Sequence, residues 1–163
     1  MMGFACLLLA EDITPRFAPG ITISYTPPSA KVWRVAERFE QEEIGMIMYK
    51  RDVIVDENGV SVEPCLSIVY RRVPDEVKDP MEFFVASRMN IHYEITGITD
   101  IEGRALVLSY KYPVEGYEHM VSIAHLFEVG LGVQVISETT TTVFKDIEAD
   151  QTAFLRSVSL KKK

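Results

Sequence analysis

Hydrophobic and polar residues alternate along much of this chain, in short runs that end at glycine or proline. The run Ile21–Tyr25 alternates as a strand does and stops at Pro27 and Pro28. The next run, Trp33–Glu40, fits helix and strand almost equally, and we interpret it as a strand. The pattern therefore indicates a fold in which strands dominate.

A hairpin is the clearest prediction, over residues 44–70. Met46, Met48, Val53 and Val55 lead into a turn at Asn58-Gly59, because Asn-Gly adopts positive φ at little cost. The returning strand carries apolar residues at alternating positions and one proline, which cannot donate to a strand ladder and is expected at an edge or bulge; these residues are Val60, Val62, Pro64, Leu66, Ile68 and Tyr70.

Two helices are predicted. The first starts at Asp79 and Pro80, because Asp79 can cap a helix and proline costs nothing at its first position, and its apolar side is Phe83, Phe84, Ser87 and Ile91. The second covers about residues 146–158. Four of its residues are expected on the sheet (Ile147, Phe154, Leu155 and Val158) and three in water (Glu148, Asp150 and Arg156).

The remaining apolar runs predict further strands. They are residues 95–101, then a second hairpin of residues 105–112 and 119–129 around a turn at 113–116, and finally residues 131–136, extended by four threonines at 139–142. No linker or repeat divides the chain. The predicted fold class is α+β, an antiparallel β-sheet with helices packed on it, in a single domain over residues 14–160.

Charge narrows the possible partners. The chain of 163 residues has 17 basic and 24 acidic side chains, for a net charge of -7. It lacks the basic surface that binds a phosphate backbone, so nucleic acid is not an expected partner. The three lysines that end the chain, at 161–163, are interpreted as a solvated tail.

An apolar leader, residues 1–10, precedes the predicted domain. It is too short to cross a bilayer, and Glu11 and Asp12 follow at once. We interpret it as a remnant of a secretory signal, which predicts export to the periplasm or envelope, with lipidation at Cys6 as a possible membrane attachment. A buried first strand and an incorrectly assigned start codon are the alternatives.

The three histidines do not form a metal site in this pattern. His119 and His125 share one face of a predicted strand but lie about 20 Å apart at the usual rise per residue. His92 has no Cys or Asp-x-His spacing beside it that would complete a ligand set. No metal or cofactor is predicted.

Catalytic patterns are not recognisable either. There is no Gly-x-Ser-x-Gly elbow, and the serines at 67, 109 and 122 lie in strand-like runs. Cys65 is interpreted as a small buried residue rather than a nucleophile. The acidic groups at 40–43 and 56–57 lack calcium-loop spacing and are interpreted as solvated loops. We expect no catalytic residues and a non-enzymatic protein.

Three segments together resemble PsbP-like domains. The first segment is Phe17-Ala18-Pro19-Gly20 with the strand that follows it, Pro28 and Trp33. The second runs from Tyr49-Lys50-Arg51 through Asp56, Gly59 and Pro64 to the strand at 66–70. The third is Tyr110-Lys111-Tyr112 together with the terminal helix, which ends in Phe154-Leu155-Arg156-Ser157-Val158. The resemblance implies an α/β/α sandwich. It also implies an extracytoplasmic bacterial protein that binds other proteins or stabilises assemblies, of unknown partner.

Two functional hypotheses follow. The first is a protein-binding or complex-assembly module whose contact surface includes Met46, Met48, Tyr49 and Tyr70, which supply adaptable and aromatic groups; the alternative for these four residues is the core. The second is a small-ligand or lipid carrier, or an undetected hydrolase, with a pocket between helix and sheet near His92, Tyr93 or His119.

Overall fold

A computed structural model describes residues 9–87, 94–101 and 105–163, and only the backbone for residues 94–101 and 105–107. Residues 1–8 of the leader lie outside the described residues, as do Ile91, His92 and Tyr93. The elements in chain order are β1 (Glu11–Ile13), β2 (Ile21–Tyr25), β3 (Trp33–Glu40), β4 (Ile44–Arg51), β5 (Ile54–Val55), β6 (Ser61–Val62), β7 (Cys65–Arg72), α1 (Pro80–Ser87), β8 (Glu94–Ile101), β9 (Ala105–Val114), β10 (Tyr117–Glu128), β11 (Leu131–Thr140), α2 (Phe144–Ser157) and β12 (Ser159–Lys162).

The centre of the fold is a seven-stranded antiparallel sheet in the order β3-β4-β7-β11-β10-β9-β8. The predicted first hairpin is confirmed: β4 pairs with β7 and β5 with β6, around Gly59 at φ 78°. Pro64 lies in the break between β6 and β7, as expected for a residue that cannot donate. The predicted second hairpin is confirmed as β9 and β10.

The helices lie on opposite faces of this sheet. On one face, the α1 residue Phe83 lies directly over Gly132 of β11. On the other face, Gln151 of α2 accepts a hydrogen bond from Ser137 of the same strand at 2.9 Å. Positions 132 and 137 differ by an odd number, so they face opposite sides of the pleat. The predicted α+β sandwich with its α/β/α layers is therefore confirmed.

The start of α1 follows the sequence prediction. The Asp79 carboxylate accepts a hydrogen bond from the Glu82 backbone N–H at 2.8 Å, which is the N-cap contact, and Pro80 is the first helical residue. The second helix begins two residues earlier than predicted, at Phe144, and ends at Ser157. Its Asp150 was expected in water, but the carboxylate accepts a hydrogen bond from Trp33 Nε1 at 2.9 Å.

A second, three-stranded sheet in the order β1-β2-β12 lies on the α2 side of the fold. The three lysines at 161–163 are exposed, as predicted, but they do not form a free tail, because Lys161 and Lys162 belong to β12 and pair with Thr22 and Ile21. The strand extension through the four threonines is also too long, because β11 ends at Thr140.

The main core lies between the large sheet and the layer formed by α2 and the small sheet. Its centre is a set of side chains that are fully buried or nearly so: Ile23, Tyr25, Ile47, Leu66, Ile68, Leu131, Val133, Val135, Ile147 and Phe154. A polar contact crosses this core, because Gln151 also donates to Ser122 Oγ at 3.0 Å. Burial of this apolar layer is the main force that holds the small sheet on the large one.

Candidate functional site

A cleft separates β1 of the small sheet from the end of β3 at the border of the large sheet. Its volume is about 350 Å³. Consecutive residues of both strands line it, which means that backbone as well as side chains forms its walls. The lining residues are Asp12, Ile13, Arg38, Phe39, Glu40, Met46, Ile47 and Tyr70.

The register of β3 determines which backbone groups face away from the sheet. The Gln41 N–H donates to the Ile44 carbonyl at 2.7 Å, and Phe39 is the next residue that is paired by hydrogen bonds, opposite Met46. Hydrogen-bonded and non-hydrogen-bonded pairs alternate along antiparallel strands. The N–H and C=O of Arg38 and Glu40 therefore point outward at the cleft, and no other described residue bonds to them.

Two ion pairs connect the walls of the cleft, one exposed and one with a largely buried carboxylate. Arg38 Nη2 lies 3.2 Å from Glu11 Oε2 on β1. Glu40 Oε1 accepts a hydrogen bond from the Arg16 backbone N–H at 3.0 Å, and Arg16 Nε lies 3.6 Å away from the same oxygen. An exposed pair like the first contributes up to about 1 kcal/mol. The Asp12 carboxylate makes no ion pair or hydrogen bond with another described residue, so it is available to a ligand, while the backbone of Asp12 pairs with Ser24 in the small sheet.

Glu40 is the most buried charge in the cleft, with 18% of its side chain exposed. The Tyr70 hydroxyl donates to its other carboxylate oxygen, Oε2, at 2.9 Å. Burial, and then this hydrogen bond, raise the pKa of Tyr70 well above its ordinary value of 10.0. The interpretation of Glu40 as part of a solvated loop is wrong, because the residue ends β3 and its side chain turns toward Tyr70.

A second phenol pair lies behind the cleft wall. Tyr25 donates its hydroxyl to Glu11 Oε2 at 2.7 Å, and its oxygen lies 3.1 Å from that of Tyr49. Burial raises the pKa of both phenols. Partial burial disfavours the charged form of Arg38 and on its own would lower the arginine pKa. The neighbouring Tyr25 and Glu11 favour the charged form by a larger amount, so the pKa of Arg38 is raised.

The lining of the cleft does not combine a nucleophile with a base. Its phenols stay neutral at physiological pH, Glu40 is occupied by two donors, and the lining contains no serine, cysteine or histidine. A nucleophile beside a general base is what acyl transfer or hydrolysis needs. The lining instead offers strand backbone, an available carboxylate and apolar walls.

The four residues of the predicted partner surface do not share one surface. Tyr70 lines the cleft from the core face of the sheet, whereas Met46 borders the cleft and shares the opposite face of β4 with the half-buried Met48. Tyr49 is only 5% exposed and belongs to the core. Strand alternation explains why Tyr49 lies apart from the two methionines, since Met46 and Met48 are two residues apart and share a face, whereas Tyr49 must point to the opposite face. The partner surface remains a prediction, now centred on the cleft.

The two described histidines, His119 and His125, lie on β10, which does not contribute to the cleft lining. His119 Nδ1 is 3.1 Å from Glu138 Oε1, a carboxylate oxygen that also accepts from Tyr112. His125 is 1% exposed beneath α1, where its ring contacts Phe83 and Phe84 at centroid distances of 5.9 and 5.3 Å. These rings fill the space between α1 and the sheet at His125. The predicted pocket near His92 and Tyr93 falls outside the described residues.

The remaining candidate nucleophiles are packing groups. Burial raises the pKa of the half-buried Cys65 thiol, which disfavours the reactive thiolate. Ser109 and Ser122 lie on neighbouring strands and form a cross-strand hydrogen bond at 3.0 Å. Within the described parts of the chain, no three His, Cys, Asp or Glu side chains are grouped so that they could hold a metal ion. No described helix is long and apolar enough to cross a membrane.

The sequence matches no family model and no curated protein. Solved structures do share the fold. LpqN of Mycobacterium tuberculosis, which is described as involved in cell envelope biogenesis, is 14% identical, with a TM-score of 0.58 over 94% of this chain and 91% of its own. The Ran-binding protein Mog1p of Saccharomyces cerevisiae is 12% identical, with a TM-score of 0.53 over 93% of this chain and 95% of its own.

The resemblance to PsbP-like domains is also supported by a solved structure. Cyanobacterial PsbP of Synechocystis sp. PCC 6803 is 11% identical, with a TM-score of 0.52 over 99% of this chain and 98% of its own. Identities this low show a common fold and leave the activity open. The chain therefore has the PsbP-like fold that its sequence predicted, and LpqN and Mog1p are similar to it in the same way.

Proposed function

We propose that this protein is a non-enzymatic, extracytoplasmic module that binds another protein, and that it does so through the cleft between β1 and β3. The observation that carries the proposal is the outward-facing backbone of Arg38 and Glu40, which forms one wall of a cleft with an available carboxylate and no catalytic pair. Strand backbone of this kind is a common site of peptide recognition.

The similar structures support this proposal in general terms. LpqN is described as involved in cell envelope biogenesis, and Mog1p as a Ran-binding protein. A role in the envelope of a bacterium agrees with the apolar leader, and Met46 supplies an adaptable contact beside the cleft. The partner itself is a matter for experiment.

Site-specific photo-crosslinking tests the proposal. Benzoylphenylalanine replaces Phe39, which lines the cleft, and in a matched control it replaces Tyr117, an exposed aromatic residue at the start of β10. Irradiation of living cells is expected to give one reproducible protein adduct from position 39 and none from position 117. The adduct should weaken when unlabelled protein is co-expressed. No adduct at position 39, or the same adducts at both positions, would refute the proposal.

A small-ligand carrier is the second candidate, because the volume of about 350 Å³ is close to the lower end of ligand pockets. A thermal-shift screen against metals, lipids and small metabolites separates the two candidates, since a ligand that binds only the folded state raises the unfolding midpoint. A hydrolase gains no support from the described residues, for want of a nucleophile and base in the cleft.

A further inference from the structure

We infer that the partner enters the cleft as an extended segment that adds a strand to the free edge of β3 and places a basic side chain beside Asp12. The inference rests on the proposed protein-binding function and specifies its partner. It predicts hydrogen bonds at Arg38 and Glu40, and it predicts the sign of the charge that the partner carries.

The edge of β3 has the right geometry for one short strand. Arg38 and Glu40 each present an N–H and a C=O outward, and they are two residues apart, which is the spacing at which an added strand forms its bonds. A β-bulge between Val35 and Glu37 interrupts the register just before this point. Because bulges disrupt pairing, the bulge confines strand addition to residues 38–40.

The charges of the cleft favour a basic partner. Arg38 already pairs with Glu11, and Glu40 with Arg16, so these four charges largely compensate each other. Asp12 is the remaining charge in the lining and has no described partner. A lysine or arginine on the added strand would pair with it, whereas an acidic side chain would meet two carboxylates. The net charge of -7 attracts a basic segment from a distance as well.

A partner segment fits the cleft better than a second copy of this chain. The ion pairs that cross the cleft tie β3 to β1 and to the loop after it. In a second copy, β1 would lie beside the edge of β3, as it does here. That β1 would keep the β3 edge of the second copy from entering a cleft of about 350 Å³. A single extended segment has no such obstacle.

Residue-resolved hydrogen exchange by NMR tests this inference, with blocked five-residue peptides of alternating valine and lysine as the probe. In the free protein, the Arg38 and Glu40 amides should exchange fast and the Phe39 amide slowly, because only Phe39 is bonded to β4. Saturating lysine peptide is expected to slow exchange at 38 and 40 by about tenfold or more, since a bonded amide must open before it exchanges. The Phe39 amide should change much less.

Three matched probes define the outcomes. A peptide with glutamate in place of lysine should bind more weakly than the lysine peptide. A lysine peptide with an N-methylated backbone should not protect the amides of residues 38 and 40, because it cannot donate hydrogen bonds to their carbonyl groups or approach the edge of β3. The Asp12→Asn variant should bind the lysine peptide about twofold to fivefold more weakly, the effect of one exposed ion pair. Butylamine alone should leave exchange at 38 and 40 unchanged.

Several results would overturn the inference. These are equal binding of the N-methylated or the glutamate peptide, protection of 38 and 40 by butylamine alone, no protection by any peptide, or a dimer in which the two amides are already protected. The proposed function fails separately: photo-crosslinking at position 39 can still succeed when every peptide fails, which would mean that a partner binds the cleft without adding a strand.

Discussion

Gly45 allows Tyr70 to reach the cleft, and adding one methyl group there should destabilise the protein. In β4, Gly45 lies directly under the Tyr70 ring, and a Cβ atom at this position would lie 2.2 Å from Tyr70 Cζ. Tyr70 is only 4% exposed, with Phe17 stacked on it at a centroid distance of 6.3 Å, so the ring has little free space to move into. Gly45→Ala must therefore displace the ring or separate the strands.

The expected loss follows from two contributions. Forcing an extra methyl group into a packed core costs about 1–3 kcal/mol. Displacement of the ring also weakens the hydrogen bond from Tyr70 to the Glu40 carboxylate, and bonds to charged groups contribute about 1.5–3 kcal/mol. We expect Gly45→Ala to lower the free energy of unfolding by about 3 kcal/mol, as measured by urea denaturation.

Gly20→Ala is the matched control, because an added Cβ there meets nothing within 4 Å and its backbone φ is not positive. It should change the free energy of unfolding by less than about 0.5 kcal/mol. In a Tyr70→Leu background, Gly45→Ala should cost much less than in the wild type. The reasoning is refuted if Gly45→Ala matches Gly20→Ala, or if its cost is the same in both backgrounds.

Three further predictions concern the core and the tyrosines. Gln151→Ala should cost about 1–3 kcal/mol in urea denaturation, because it leaves the buried Ser137 hydroxyl without its side-chain partner, while Ser122 keeps its bond to Ser109; a loss below about 0.5 kcal/mol would contradict this. Trp33→Phe should cost about 1–2 kcal/mol through the lost bond to Asp150, and Asp150→Asn, which keeps an acceptor, should cost less. The four tyrosines with a raised pKa, at 25, 49, 70 and 112, stabilise the fold below their unfolded value of 10.0. Above pH 10 the unfolded chain releases protons that the folded protein keeps, so stability should fall as the pH rises, by at most about 1.4 kcal/mol per pH unit for each such tyrosine. Phenolate absorbance in folded and urea-unfolded protein checks this, and a full titration of all 7 tyrosines near their ordinary pKa in the folded state would refute it.

Local sequence signals predicted the elements that local chemistry determines. Asn58-Gly59 located the first hairpin, because few other residue pairs adopt that turn so easily. Asp79 and Pro80 located the start of α1, because capping and the missing proline N–H act within one turn. The pattern of residues 33–40 fitted helix and strand almost equally, so the interpretation as a strand was correct without a strong local signal, and nothing in it showed that β3 is outermost in the described sheet.

The cleft could not be predicted in the same way, because it joins segments far apart in the chain. Glu40 and Tyr70 are 30 residues apart, and their contact exists only because β3, β4 and β7 are neighbours. The strand β1 has three residues and carries no periodic signal. One available signal was overlooked: Met48 and Tyr49 are adjacent, so the period of two already separated them onto opposite faces.

The small sheet also determines when the protein can finish folding. Its central strand, β2, pairs on one side with β12, and Lys161 bonds to Ser24 across 137 residues of sequence. While a ribosome makes the chain, β2 therefore emerges long before its partner exists. Contacts this distant in sequence form late and slow the final step. A nascent chain should thus remain without its closed core until β12 has been made, and the apolar face of β2 should stay exposed for that interval.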